Sequence, residues 1–386
     1  MQLTKEEEKS LDGENGEALA TAYRILLAIG EANEAKNLVP IRWAHVSGVN
    51  YNTIGEAGEK FLKNISKEGT KVSVFTTINP AGFDLQKQNN LSDEFNKGQY
   101  SIINSYRSLG VTQSFSCTPY EIFDIPESGT RISFAESNAA VFMNSIMNLQ
   151  TNKESALSSL ASAITGKTPY SDLLIDKNRE ARISIVPDVD IDNELDFGLL
   201  GYFAGKTSDE SCIGIELKDE RKINDIMNAK AISAAIGTSG VCGMFKNTKS
   251  IEKISFGKEE FIQVKDELDT TENGDIIVLG SPQLGVNEMK LLADSLKDRR
   301  FSKKCFIFCS RNTHNKTKEL GLNDKIEKSN CEIFCDSCTC LTPLINKTKY
   351  DSIITNSIKC AYYMKHVNKI DVSLKDLKTI IKENAR

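Results

Sequence analysis

Short apolar, β-rich runs, each giving way to a glycine- or proline-containing loop and then to a polar helical segment, constrain this chain more than any other feature. IRWAHVS (Ile41 to Ser47) and KVSVFTTI (Lys71 to Ile78) flank the helical segment EAGEKFLKNISKEG. DIIVLGSPQ (Asp275 to Gln283), KCFIFCS (Lys304 to Ser310), CEIFCDS (Cys331 to Ser337) and DSIITNS (Asp351 to Ser357) repeat the alternation near the C-terminus. Strands separated by helices pair in parallel, and open parallel sheets receive ligands beyond the carboxyl ends of their strands. The expected fold class is therefore α/β.

Other segments fill in the frame. Thr4 with Glu7 has the form of a capping box, and EALATAYRILLAIGEAN (Glu17 to Asn33) sets Leu19, Tyr23, Leu26, Leu27 and Gly30 at helical spacing, so the chain opens with helices. Residues Glu136 to Gly166 read as one helical stretch, followed by the β-like ARISIVPDVDI (Ala181 to Ile191) and the glycine-rich AISAAIGTSGVCGMF (Ala231 to Phe245). With 386 residues the chain exceeds one ordinary core. We expect an N-terminal helical and α/β lobe over 1–150, a second lobe over 151–240 and a C-terminal α/β lobe over 241–386.

Composition excludes several classes of function. Hydrophobic residues make up 40% and charged residues 26%, as in ordinary globular proteins. A net charge of −5, with no basic block interleaved with aromatics, predicts no nucleic-acid partner. No apolar run reaches about 18 residues and the polar N-terminus is unlike a signal peptide, so no membrane association and a cytoplasmic location are expected. Three histidines leave little material for a histidine-based triad. The absence of GxSxG, Walker-type and strand-borne GxGxxG patterns argues against hydrolase, kinase and Rossmann dehydrogenase readings.

Ten cysteines without framework spacing fit reduced thiols. Cys117 (SFSCTPY), Cys309 (FIFCSRN) and Cys338 (FCDSCTC) each follow an apolar stretch and lie among turn-forming residues. Three thiolates meeting at one point suggest an iron–sulfur cluster with one iron left open as a Lewis acid. Each alone also reads as a buried small hydrophobe. The tract Cys331, Cys335, Cys338 and Cys340 could hold zinc, although strand alternation would keep its side chains from converging.

SGVNYNTIG (Ser47 to Gly55), TTINPAGFD (Thr76 to Asp84), SCTPYE (Ser116 to Glu121), ESNAAVFMNS (Glu136 to Ser145), TGKTPYSDLLIDKNR (Thr165 to Arg179), LDFGLLGYFAGK (Leu195 to Lys206) and TNSIKCAYY (Thr355 to Tyr363) occur in an order that resembles the aconitase X family. The resemblance implies multi-lobed parallel α/β sheets around a central iron–sulfur cleft, without the swivel domain of aconitases. It implies Cys117, Cys309 and Cys338 as metal ligands of a 4Fe-4S cluster, with 2Fe-2S or mononuclear iron as alternatives. It implies Gly48, Val49, Asn50, Asn79, Pro80, Glu136, Ser137 and Lys359 as substrate-binding residues. The backbone amides of Gly48 to Asn50 could form an anion nest, and Lys359 would supply positive charge. Without the resemblance, the same features read as a plain strand-to-helix turn, a helix N-terminal carboxylate at Glu136 and a solvated lysine at Lys359. His45 reads as a satisfied structural histidine or as a group orienting the substrate loop.

Large chains of this family and length imply dehydration of (R)-5-phosphomevalonate, a small phosphorylated hydroxy acid, to trans-anhydromevalonate 5-phosphate. No catalytic base is assigned within the chain. The resemblance implies that a small swivel-domain subunit brings a serine for that role. A cis-3-hydroxy-L-proline dehydratase of the same family and a non-catalytic iron–sulfur sensor are the alternatives. The chain departs from the family's usual forms at Asn50 (often Ser), at GSPQ from Gly280 to Gln283 (often GCPH), at Ser337 (commonly Thr), at KCAYY (commonly KAAHY, so no imidazole at Tyr362) and after Phe245, where a TPEA-like continuation is missing. Loss of Cys and His in GSPQ removes them as ligands and leaves the three-cysteine scheme.

Overall fold

The computed structural model describes residues 1–67 and 69–386. The capping box forms at Thr4 and Glu7, and the helix Glu17–Ala32 buries Tyr23, Leu26 and Gly30. β1 (Leu38–Pro40), β2 (Trp43–Val46), β3 (Phe75–Ile78) and β4 (Ser133–Phe134) follow, and β5 (Lys167–Pro169) returns antiparallel to β1. β3, β2 and β4 make a parallel sheet in that order.

A second parallel sheet has the order β8-β7-β6-β9, from β6 (Ile183–Pro187), β7 (Cys212–Ile215), β8 (Met244–Lys246) and β9 (Glu252–Phe256). The third has the order β12-β11-β10-β13-β14, from β10 (Ile276–Leu284), β11 (Cys305–Cys309), β12 (Cys331–Cys335), β13 (Ser352–Thr355) and β14 (Asp371–Leu374). Every pairing within these three sheets is parallel, as the alternation of strand and helix signals requires.

The stretch from Glu136 to Gly166 is two helices, Ser137–Ser145 and Ala156–Thr165. Between them Asn148 adopts φ +50°, and Gln150 and Lys153 bridge to Arg131 and Phe134, so pairing to the first sheet interrupts the helical pattern. The glycine-rich run after Lys230 continues the helix Ile226–Ser239. Its glycine is a packing device: a Cβ on Gly237 would stand 2.9 Å from the backbone of Ser137. The second lobe can thereby lie directly against the start of the Ser137–Ser145 helix.

β10 leaves regular register between Leu279 and Leu284. Gly280 takes φ +106° there and packs against the Phe308 backbone, a place no side chain could share. Ser281 to Gln283 therefore bulge from the carboxyl end of the sheet. On β11 and β12 the register Cys305↔Cys331, Ile307↔Ile333 and Cys309↔Cys335 puts these residues on one face, in an apolar layer with Leu292 and Ile326.

Two buried ion clusters clamp the parts together. Arg311 binds Asp84 from the loop after β3 and Asp336 from the end of β12, the latter at 2.6 Å. Lys230, 2% exposed, reaches Glu121 at 2.9 Å, the Gln283 carbonyl at 2.9 Å and Glu288. Burial alone would lower the Lys230 pKa, but the two carboxylates raise it above that of an ordinary lysine. Removing the ammonium would strand two carboxylates away from water. Lys230→Met is expected to destabilise the chain by about 3–5 kcal/mol, read as a lowered denaturant midpoint with an unchanged slope; a midpoint equal to wild type would show that the clamp adds nothing.

Candidate active site

The carboxyl ends of six strands converge on one cleft. β2 runs into Ser47 to Asn50, β3 into Asn79 to Ala81, β4 into Glu136, β10 into Ser281 to Gln283, β12 into Asp336 to Cys340, and β13 into Ser357 and Lys359. The first and third sheets meet directly where Ala81 bridges Ser337 and its N–H donates to the Asp336 carbonyl at 2.7 Å.

In the loop after β2, Gly48 has φ +76°. Asn50 caps the next helix by accepting from Asn52 N at 2.9 Å, and its amide donates to the Leu341 carbonyl at 2.9 Å, tying this loop to the segment after Cys338. Gln99 braces the loop from below through the Val49 carbonyl at 2.7 Å. Among the described residues, the backbone N–H groups of Gly48, Val49 and Asn50 donate to no protein acceptor. Three successive N–H groups in one turn are the donor set an anion requires.

A buried proton-ordered chain lies beside that turn. Asn79 Nδ2 donates to Glu136 Oε2 at 2.7 Å, so its Oδ1 must accept from His45 Nε2, also at 2.7 Å. His45 Nδ1 then accepts from the Thr77 hydroxyl at 2.8 Å, and that oxygen accepts from Trp43 Nε1 at 2.9 Å. His45 is consequently neutral, and burial pushes its pKa down to about 4. Glu136 sits at the N-cap of its helix but makes no side-chain capping bond. Its carboxylate instead meets Lys359 Nζ, which also donates to Asn138 Oδ1 at 2.7 Å. Burial works against the Lys359 charge, but Glu136, with Tyr363, Cys117 and Cys338 nearby, raises its pKa and keeps the ammonium protonated.

The thiols gather next to this pair. Cys338 interacts with Cys117 and Cys340, and Cys340 with Cys360. The Cys117 sulfur accepts Gln283 N–H at 3.2 Å, and the Cys340 N–H donates to the Cys338 sulfur. Donation from Cys117 and Cys340, together with Lys359, holds the Cys338 pKa well below that of an ordinary thiol despite burial, whereas burial and the Cys338 sulfur raise Cys117 and Cys340. All ten cysteines are free thiols. Four buried sulfurs in a chain of pairwise contacts, N–H groups aimed at two of them and the unpartnered buried hydroxyl of Ser337 fit an inorganic group held by thiolates. Among the described residues no three His, Cys, Asp or Glu side chains form a site for a single metal ion.

Of the residues singled out from sequence, the structure brings together Gly48, Val49, Asn50, Asn79, Pro80, Glu136, Ser137, Lys359, Cys117 and Cys338. It does not bring Cys309 to them. The Cys309 thiol lies in the apolar layer of the third sheet beside Cys335, because strand alternation sends it to the face opposite Phe308. The zinc tract is divided where the strand ends: Cys331 and Cys335, on β12, enter that layer, while Cys338 and Cys340, in the loop after it, enter the cleft. Lys359 is no solvated lysine, and its charge is already matched by Glu136. Cys360 and Lys230 escaped the sequence reading, which met Cys340 only in the zinc tract and Gln283 only as a departure from the family's form. A lysine within the Ala- and Ile-rich helix Ile226–Ser239 was the available signal for Lys230.

A family model described as the aconitase X first domain matches residues 1–177, and one described as the aconitase X third domain matches residues 274–386. The chain is 36% identical to the phosphomevalonate dehydratase large subunit of Methanocaldococcus jannaschii, over 99% of this chain and 100% of that protein. It is 36% identical to the protein of the same description from Thermococcus kodakarensis, again over 99% and 100%. Identity to the cis-3-hydroxy-L-proline dehydratase of Pseudomonas aeruginosa is 28%, over 92% of this chain and 64% of that protein. The crystal structure of Thermococcus kodakaraensis aconitase X in its holo-form superposes with a TM-score of 0.91 at 35% identity, over all of both chains. No helix among the described residues is long and apolar enough to cross a membrane.

The His45 geometry sets a pH dependence. Its folded pKa of about 4 lies below the ordinary histidine value of 6.5, so between those values the unfolded chain binds more protons and folding stability falls as pH falls. Relative to His45→Gln, the wild type is expected to lose on the order of 3 kcal/mol between pH 7 and pH 4, measured as the difference in denaturation free energy at each pH. Parallel pH curves for the two proteins would contradict a buried neutral imidazole.

Proposed function

Because the chain belongs to the aconitase X family, we propose that it is the large, catalytic subunit of a phosphomevalonate dehydratase, a hydro-lyase that converts (R)-5-phosphomevalonate to trans-anhydromevalonate 5-phosphate and water. End-to-end correspondence with relatives of that description supports this substrate, whereas the hydroxyproline dehydratase matches over only 64% of its length. The observation that carries the reading is the row of unpaired N–H groups at Gly48 to Asn50, joined through Asn50 and Leu341 to the thiol group. An anion receiver is thereby fixed beside a thiolate-lined site.

Cys117 and Cys338 hold an iron–sulfur cluster, in the 4Fe-4S form or alternatively as 2Fe-2S or a mononuclear iron. When bound, such a group supplies Lewis-acid polarisation of the hydroxyl that leaves from carbon 3. The chain's own residues bind and orient. The Gly48 to Asn50 amides receive an anionic group of the substrate, with Pro80 and Ser137 at the rim. Asn79 presents an amide fixed by His45 on one side and Glu136 on the other. Lys359 pairs with Glu136 and fixes the direction of its carboxylate, and burial of this network limits the approach of water. Reaction breaks the bond from carbon 2 to hydrogen and the bond from carbon 3 to oxygen; the carbon 2 electron pair becomes the new double bond. A small swivel-domain subunit closes the cleft and brings the serine that takes the carbon 2 proton. The free thiols accord with a cytoplasmic enzyme.

Three outcomes are expected with 5-phosphomevalonate, assayed anaerobically except where air is admitted. The large chain turns over only when its small subunit is added, and air abolishes the activity of the complex. Lys359→Met lowers kcat/KM by at least about 100-fold. Full activity of the large chain alone, or turnover of cis-3-hydroxy-L-proline but not of the phosphorylated acid, would move the chain to another branch of the family.

A further inference from the structure

The side chain of Cys309 points into an apolar layer of the third sheet, which leaves the cleft short of the third sulfur expected from sequence. Cys340 lies where that sulfur is needed. Its thiol contacts Cys338, and its sulfur stands 3.0 Å from the Ser281 hydroxyl and 3.5 Å from that of Thr339. It belongs to the loop after β12, where no strand pairing fixes the direction of the side chain. Ser281 comes from the bulge of β10, so the sulfur of Cys340 lies in the neighbourhood that a cysteine at 281 would occupy.

Gln283 shows that the bulge has been rebuilt around this arrangement. Its N–H donates to the Cys117 sulfur at 3.2 Å, and its side chain accepts from Cys117 N at 3.3 Å. The same side chain donates to the Phe115 carbonyl at 3.2 Å and to the Ser337 carbonyl at 2.9 Å. One amide thus holds the Cys117 loop and the Cys338 to Cys340 loop at a fixed separation. Cys360 also touches Cys340, but it is on the helix Ile358–Tyr363 and packs within the apolar core shared with Ile358 and Met364. Turning its thiol towards the cleft would take it out of that core.

We infer that Cys340 supplies the third thiolate for the inorganic group, together with Cys117 and Cys338, and that Cys309 and Cys360 do not ligate it. The inference rests on the cluster reading given above. Each thiol that ligates releases one proton on binding, and no oxidation or reduction of the protein is required.

The test is anaerobic reconstitution of the full chain with equal amounts of ferric and ferrous iron and with sulfide, so that no external oxidant is needed, followed by iron and acid-labile sulfide counts per chain and the sulfur-to-iron charge-transfer absorption. Cys340→Ala is expected to retain roughly tenfold less iron than wild type, while Cys309→Ala and Cys360→Ala load as wild type does. Ser281→Cys added to Cys340→Ala is expected to restore iron and absorption, which a variant that merely misfolds would not show. Wild-type loading of Cys340→Ala, or loss of iron in Cys309→Ala with Cys340→Ala intact, would overturn the assignment. A wild-type chain that takes up no iron and sulfide would instead overturn the cluster reading itself; where the wild type loads, Cys117→Ala and Cys338→Ala are expected to lose iron whichever thiol is the third, so a failure of the Cys340 assignment is distinguishable from a failure of the cluster reading.

Discussion

A single ammonium determines where the cleft can be. Lys230 is on the helix Ile226–Ser239, its partner Glu121 on the loop that follows Cys117, and its partners Glu288 and the Gln283 carbonyl on the bulge and helix after β10. A charge buried this deeply is tolerable only when its counter-charges are within bonding distance, so the segments carrying them have little freedom to separate. The same Gln283 whose carbonyl binds Lys230 gives its N–H to the Cys117 sulfur. Charge pairing in the core is therefore converted into placement of a thiol, without either element needing to recognise the other through apolar contact.

The second constraint is the carboxylate of Glu136. Had it capped its own helix, as a residue at that position commonly does, it would have been consumed by local structure. Instead Lys359 and Asn79 draw it towards the cleft, and the neutral His45 fixes the direction of the Asn79 amide through a run of hydrogen bonds that has one consistent set of proton positions. Such a network is rigid because each group has one role available: reversing any donor would leave a buried partner unmatched.

Legibility in the sequence followed physical range. The strands of the first and third sheets were readable because parallel burial writes itself as short apolar runs, and the capping box at Thr4 and Glu7 is a local matter. The break between Ser145 and Ala156 was not, since it arises from pairing of Gln150 and Lys153 with residues on β4 and before it. The direction of the Cys309 side chain was open to alternation, because it shares parity with Cys305 and Ile307 on an apolar strand. The surroundings of Cys340 were not open in the same way: its contact with Ser281 and Cys338, on which the proposed role rests, depends on a bulge and a loop meeting in space. The resemblance to aconitase X located the cleft residues but could not show which thiol serves a chain whose GSPQ segment has lost the usual cysteine.

The cleft's attraction for an anionic substrate does not come from spare cations. Lys359 is matched by Glu136 and Lys230 by two carboxylates, so each positive side chain nearest the thiols is already neutralised. What is left to face an anion is the unpaired N–H row at Gly48 to Asn50. Gly55 breaks the following helix after its first turn, so these donors act as individual dipoles more than as the end of a long helix. Fixed dipoles in a buried turn do not have to reorient when charge arrives or shifts, whereas a mobile lysine does. In a cleft that must also hold ionised sulfur, this arrangement has a further consequence: an anion can be received beside the thiolates without a free ammonium that would pair with them first.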